Sequence, residues 1–113
     1  MATPPYTPIV RAGELIITSG QIGIVDGSIV EGGIASEIEQ VFDNLEAVLA
    51  SEGATLDDVV KATVFILDMA DYALMNEHYV ARFGDHRPAR SAIAVHQLPL
   101  GAQIEIEAIA FVK

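Results

Sequence analysis

Ile104-Glu105-Ile106-Glu107-Ala108-Ile109-Ala110 is the stretch from which the rest of the chain can be read. In an extended strand, successive side chains leave opposite faces. Ile104, Ile106, Ala108 and Ala110 therefore share one face, continued by Val112. Glu105 and Glu107 share the other with Ile109 and Phe111. The first face is wholly apolar and calls for a covering layer. The second keeps large apolar groups beside its carboxylates.

Working backwards, Leu98-Pro99-Leu100-Gly101 is a turn region. Before it, Pro88-Ala89-Arg90-Ser91 follows a break at Arg87-Pro88 and leads into a strand from Ala89 to Val95. Tyr72, Met75, Asn76, Tyr79, Val80 and Phe83 recur at three- and four-residue steps, which predicts a helix capped by Asp68 or Asp71 and closed by Gly84. Val59 to Leu67 is a β-branched, aliphatic strand. An earlier helix carries Ile34, Ile38, Val41, Phe42, Leu45, Val48 and Leu49 on one stripe, with Glu37, Glu39, Asp43 and Glu46 largely off it. Gly53 ends that helix. Ile9-Val10-Arg11 and Glu14 to Gly20 form a hairpin around Ala12-Gly13, and the turn at Asp26-Gly27 leaves room for a short strand at Ser28-Ile29-Val30.

The order ββ(β)αβαββ, with hairpins at both ends, predicts one α+β domain over residues 1–113. Its mixed six-stranded sheet has both helices packed on one face. Two helices cover one face only. Apolar groups left on the second face, in a chain that is 51% apolar, predict a homo-oligomer.

Bulk composition narrows the function. The chain has 16 acids against 6 bases, a formal charge of −10, and the bases are scattered apart from Arg87 and Arg90. Nucleic-acid binding needs a basic patch, so it is disfavoured. There is no cysteine, hence no disulfide, thiolate metal site or cysteine nucleophile. No apolar run is long enough to span a membrane. Met1-Ala2-Thr3-Pro4-Pro5-Tyr6 has neither the basic start nor the apolar core of a secretory signal, so a cytoplasmic location is expected. His78, His86 and His96 match no metal-ligand spacing and are expected on surfaces or loops; Gly32-Gly33 is followed by no Gly-Lys-Ser/Thr and is no phosphate loop. Tyr72, Met75 and Tyr79 read as core.

Arg90 and Glu105 carry the chemistry. Arg grips a carboxylate with two parallel hydrogen bonds. Glu in partly apolar surroundings can activate a water. On neighbouring strands, the pair would make a hydrolase site for a small organic acid. The alternative is a structural ion pair of Arg90 with Glu105 or Glu107.

In order along the chain, Pro5-Tyr6, Ile16 to Ile22, Asp43-Asn44-Leu45, Val60 to Phe65, Asn76-Glu77-His78-Tyr79, Pro88 to Ser91 and Ile104 to Ala110 make a pattern that resembles the Rid family, also called YjgF or L-PSP. The resemblance implies a chorismate-mutase-like fold, a homotrimer with sites in the clefts between subunits, and no bound cofactor or metal. It also implies hydrolysis of the imines and enamines, such as 2-iminobutanoate and 2-iminopropanoate, released by pyridoxal-phosphate enzymes acting on serine or threonine. The family's carboxylate-binding arginine maps to Arg90, and its water-positioning glutamate to Glu105. Tyr6, Ser19 and Asn76 map to pocket positions. The chain departs from the family pattern twice. Pro4-Pro5-Tyr6-Thr7-Pro8 stands where Gly-Pro-Tyr-Ser is common. Ala92 stands where many relatives carry cysteine, leaving its backbone to contact ligand. Without the resemblance, Ser19 is equally a group that satisfies strand-end backbone, Tyr6 interface packing and Asn76 a buried amide. The competing functions are a regulatory trimer that binds 2-oxoacids without turnover, and an endoribonuclease, which the charge opposes.

Overall fold

The computed structural model describes residues 4–113; Met1–Thr3, the start of the segment read as lacking a secretory signal, lie outside the described residues. The elements run β1 (Ile9–Ala12), β2 (Leu15–Thr18), β3 (Ile24–Val25), β4 (Ser28–Ile29), α1 (Gly33–Ala50), β5 (Val59–Ile66), α2 (Tyr72–Phe83), β6 (Ala89–Ala94) and β7 (Ile104–Phe111). Five strands form a mixed sheet in the order β1-β2-β7-β5-β6, and β3 pairs with β4 in a separate hairpin. No helix among the described residues is long and apolar enough to cross a membrane.

The sheet differs from the sequence expectation in two ways. It has five strands rather than six, because the strand at Ser28–Ile29 pairs only with Ile24–Val25. The connecting Asp26 and Gly27 both take positive φ, 52° and 83°, the backbone of a tight two-residue hairpin turn. Asn44 of α1 keeps this hairpin away from the sheet by donating to the carbonyls of Ile22 and Ile24 at 2.9 and 3.0 Å.

Second, β6 and β7 do not form a hairpin. Parallel strands need a crossover, and α2 supplies it between β5 and β6. The chain then returns past the turn at Pro99–Gly101, and β7 pairs antiparallel with β5 on its other side and with β2. The strands of Arg90 and Glu105 are therefore separated by β5 and are not neighbours.

The apolar stripes of both helices lie on one face of the sheet. Ile38, Val41, Phe42, Leu45 and Leu49 of α1, with Met75, Tyr79 and Phe83 of α2, pack on Ile16, Ala62, Val64, Ile66, Ile104, Ile106, Ala108 and Ala110. Phe42, Tyr79 and Phe83 meet with ring centroids 4.7–5.9 Å apart. The other face has no helix. The register places Leu15 beside Phe111, Ile17 beside Ile109 and Phe65 beside Ile93 there. Leu15, Ile17, Ile93 and Phe111 are each at least 40% exposed.

One acid departs from its expected place. Glu37, assigned to the polar side of α1, is buried. Its carboxylate accepts from the Gln103 backbone N–H and from Gln103 Nε2, both at 2.8 Å. This clasp fixes the chain two residues before Glu105. Glu37→Ala leaves the half-buried Gln103 N–H and amide without their partner and should cost about 1–2 kcal/mol. Urea denaturation at neutral pH checks this, and parental stability would discount the clasp.

Candidate active site

The residues singled out from the sequence fall into two groups on opposite faces of the sheet. Glu105 lies opposite Phe65, on the face without helices. A cavity of about 350 Å³ opens beside it, lined by Tyr6, Ser19, Gly20, Ile22, Pro99 and Glu105.

Several contacts build this cavity. At the end of β2, the Thr18 hydroxyl accepts from the Ala108 N–H at 3.0 Å, replacing a ladder bond. Gln21 then pairs with Ile106 through two backbone bonds of 2.8 and 3.0 Å. Gly20 lies directly under the Glu105 side chain. A Cβ at that position would come within 2.6 Å of Glu105 Cδ, so a side chain there would make the carboxylate swing aside, and glycine lets it lie over the backbone. Ser19 donates its hydroxyl proton to the Thr7 carbonyl at 2.6 Å and its N–H to the Pro8 carbonyl at 2.9 Å. These bonds tie down the segment carrying Tyr6. Pro4, Pro5 and Pro8 have no N–H to offer, so the segment is held by its carbonyls.

Burial lifts the Glu105 carboxyl above the usual carboxylate range, and the charge of neighbouring Glu107 adds to the effect.

The second group sits at the free edge of β6. Arg90 lies opposite Ala62, on the helix-covered face. Its Nη1 donates to Asn76 Oδ1 at 2.7 Å, and its Nη2 donates to Tyr72 Oη at 3.0 Å. The guanidinium carbon stands 4.8 Å from the Tyr79 ring centroid and 5.6 Å from that of Tyr72. Arg90 takes part in none of the ion pairs among the described residues. The alternative of an ion pair with Glu105 or Glu107 is thereby excluded within the chain. Two residues along, Ala92 faces the core. The Val95 N–H donates to the Ile66 carbonyl at 2.8 Å, into the sheet. Backbone alternation along β6 therefore turns the Ala92 N–H outward, off the free edge.

Asn76 thus meets Arg90 directly, and Ser19 secures the Tyr6 segment. Tyr72, Gly20, Ile22 and Pro99 were not singled out as site residues by the sequence. For Tyr72 a signal existed: it stands four residues before Asn76, on the same helix face. Two histidines have specific partners rather than free surfaces. His78 Nδ1 meets Glu39 at 2.6 Å, and His86 Nε2 meets the Val59 carbonyl at 2.6 Å. Among the described residues no group of three or more His, Asp or Glu side chains could hold a metal.

The family model described as Endoribonuclease L-PSP matches residues 1–112. A RutC family protein of Pyrococcus horikoshii is 45% identical over 109 residues, covering 95% of this chain and 86% of that protein. The mouse 2-iminobutanoate/2-iminopropanoate deaminase is 40% identical over 111 residues, covering 96% of this chain and 82% of that protein. The crystal structure of Escherichia coli TdcF with bound serine matches with a TM-score of 0.91 at 35% identity, covering 99% of this chain and 91% of that one. The chain belongs to the L-PSP family, also called Rid or YjgF, and has its fold.

The raised Glu105 value has a consequence for stability. A carboxyl whose folded-state value exceeds its unfolded one stabilises the fold when protonated. That contribution is complete below the unfolded value and is lost as pH rises through the folded one. Glu105→Gln, a mimic of the protonated acid, should therefore gain stability relative to the parent as pH rises. Thermal midpoints between about pH 4 and pH 8 test this, and a constant difference across the range would contradict it.

Proposed function

We propose that this protein hydrolyses small 2-imino acids and their enamine tautomers to 2-oxoacids and ammonia, at sites shared between subunits of a homotrimer. The observation that carries the reading is the state of Arg90. It is an oriented guanidinium at a sheet edge, held by neutral groups and without a carboxylate partner among the described residues. The chain supplies the complementary groups elsewhere, in the cavity beside Glu105. The alternation of strands β6 and β7 keeps the two halves on opposite faces of one subunit. A second copy unites them, its Arg90 edge meeting the Glu105 cavity. The apolar face of Leu15, Ile17, Ile93 and Phe111 gives that copy a surface to cover.

In the joined site, Arg90 grips the substrate carboxylate with two N–H groups, and the Ala92 N–H adds a third donor. This fixes the neighbouring C=N carbon. Glu105 accepts a proton from water as the oxygen bonds to that carbon. The C=N electron pair moves to nitrogen, which takes that proton from Glu105 to give the carbinolamine. Glu105 then takes the hydroxyl proton and passes it to nitrogen, so the C–N bond breaks, the carbonyl forms, ammonia leaves and the carboxylate is regenerated. A carboxyl above its usual range is a stronger base toward the water and is still acidic enough to hand the proton on to an amine nitrogen. Tyr6 and Ile22 border the substrate's apolar side chain.

Relatives support the reading. The mouse protein carries the deaminase name, and TdcF holds an amino acid whose carboxylate is of the kind Arg90 would bind. The family model is described as an endoribonuclease, but a chain of formal charge −10 repels a phosphate polymer.

The test is ammonia release from enzymatically generated 2-iminobutanoate, measured above the spontaneous rate. Arg90→Ala should lower kcat/KM about 100-fold and Glu105→Gln should lower kcat about 100-fold or more. Refolding the two inactive variants together in equal amounts should restore about a quarter of the parental activity, since a quarter of shared sites combine both intact residues. Full activity in either single variant would reject the reading. An inactive mixture would reject shared sites.

A further inference from the structure

We infer that Tyr72 is a positioning residue that sets the affinity of the site for its carboxylate; this rests on the proposed role of Arg90 as the carboxylate anchor. A guanidinium grips a carboxylate in two-point fashion only when its plane is held at the right angle. Arg90 reaches its position at the end of a long, flexible side chain on an edge strand. Four groups hold it, one of them Met75 Sδ at 3.8 Å from the same terminal nitrogen that Asn76 binds. Asn76 accepts from one terminal nitrogen at 2.7 Å, Tyr72 Oη accepts from the other at 3.0 Å, and the Tyr79 ring lies 4.8 Å from the guanidinium carbon. Asn76 and Tyr79 alone leave the second terminal nitrogen free to swing. The Tyr72 hydroxyl closes that freedom.

The position of Tyr72 is itself determined. It is the first residue of α2, directly after a single 3-10 turn whose Asp68 side chain accepts from the Ala70 N–H at 2.9 Å. The residue is exposed, with a relative exposure of 37%, so it stands at the mouth of the site rather than in the core. Tyr72 and Asn76 are neutral acceptors, so they orient Arg90 and leave its charge for the ligand. The guanidinium has five N–H groups in all, and these two bonds leave enough for a two-point grip.

The substitution that isolates the hydroxyl is Tyr72→Phe, which keeps the ring. We expect KM for the imine, and the inhibition constant for 2-oxobutanoate, to rise in parallel by about fivefold to tenfold. We expect kcat to stay within about twofold and the thermal midpoint to be unchanged. Tyr72→Leu, which also removes the ring, should weaken 2-oxobutanoate further. Parental KM and inhibition constant in Tyr72→Phe, alongside lost affinity in Arg90→Ala, would overturn the inference and leave the proposed function standing. A fall in kcat and midpoint with the inhibition constant unmoved would show a purely structural role and overturn it as well. Parental KM in Arg90→Ala would remove the anchor, and this inference with it.

Discussion

Two helices cannot cover both faces of a five-stranded sheet, and most of this molecule follows from that shortage. Helices α1 and α2 together bury one face, where Ile104, Ile106, Ala108 and Ala110 supply the floor. Glu105 and Glu107 occupy the alternate positions, so they fall on the face without helices. There Glu105 is flanked by apolar groups and by a like charge, which lifts its carboxyl out of the ordinary range. Arg90 is on the covered face, but on the edge strand, so its side chain emerges at the margin of α2. The uncovered face and the free edge are both unfinished surfaces, and each carries one of the two charges that the proposed chemistry requires.

A comparison of two arginines shows how the fold separates structural from available charge. Arg82 of α2 is paired with Glu39, Asp43 and Glu46 of α1. Burial pulls its value down, but the bonds from Glu46, Asp43 and Glu39 outweigh this and hold it above the usual range. Glu39 in turn is drawn below its usual range, first by its bond from His78, which burial opposes, and then by Arg82. There the Arg82 charge is taken up by carboxylates of the same chain, and the pairs join the two helices. Arg90 is given an amide oxygen, a phenol oxygen and an aromatic face instead. Neutral acceptors restrain its geometry without cancelling its field, so the attraction for an incoming carboxylate is retained.

The sequence made the elements legible because their periodicities are strong. The stripes of α1 and α2 and the alternation of β7 are each visible over eight or more residues. Sheet order was not legible in the same way. Whether β6 folds back on β7 or lies beyond β5 depends on the crossover through α2, which leaves no mark in the local pattern of either strand. The same limit hid Glu37, whose partner Gln103 is 66 residues away. The one-dimensional sequence identified Arg90 and Glu105 as residue types suited to the chemistry, and Asn76 only through the family resemblance. It could not show that the phase of β6 sets Arg90 against Ala62 while the phase of β7 sets Glu105 against Phe65, on opposite faces.

Ala92 illustrates how a change of side chain can leave a site's donors intact. The family resemblance leads to the expectation of a cysteine there, and the absence of a thiol suggests the loss of a functional group. The Ala92 side chain, however, faces the core, where it is packed and only partly buried. What points off the free edge is its N–H, and strand geometry sets that direction independently of the side chain. In the proposed site the carboxylate would meet Arg90 and this N–H together, two donors held by the same stretch of β6. A thiol turned toward α2 would add volume beneath the strand and no donor along its edge. Imine hydrolysis by Arg90 and Glu105 is therefore compatible with alanine, whereas any chemistry that needs a sulfur nucleophile is not available to this chain.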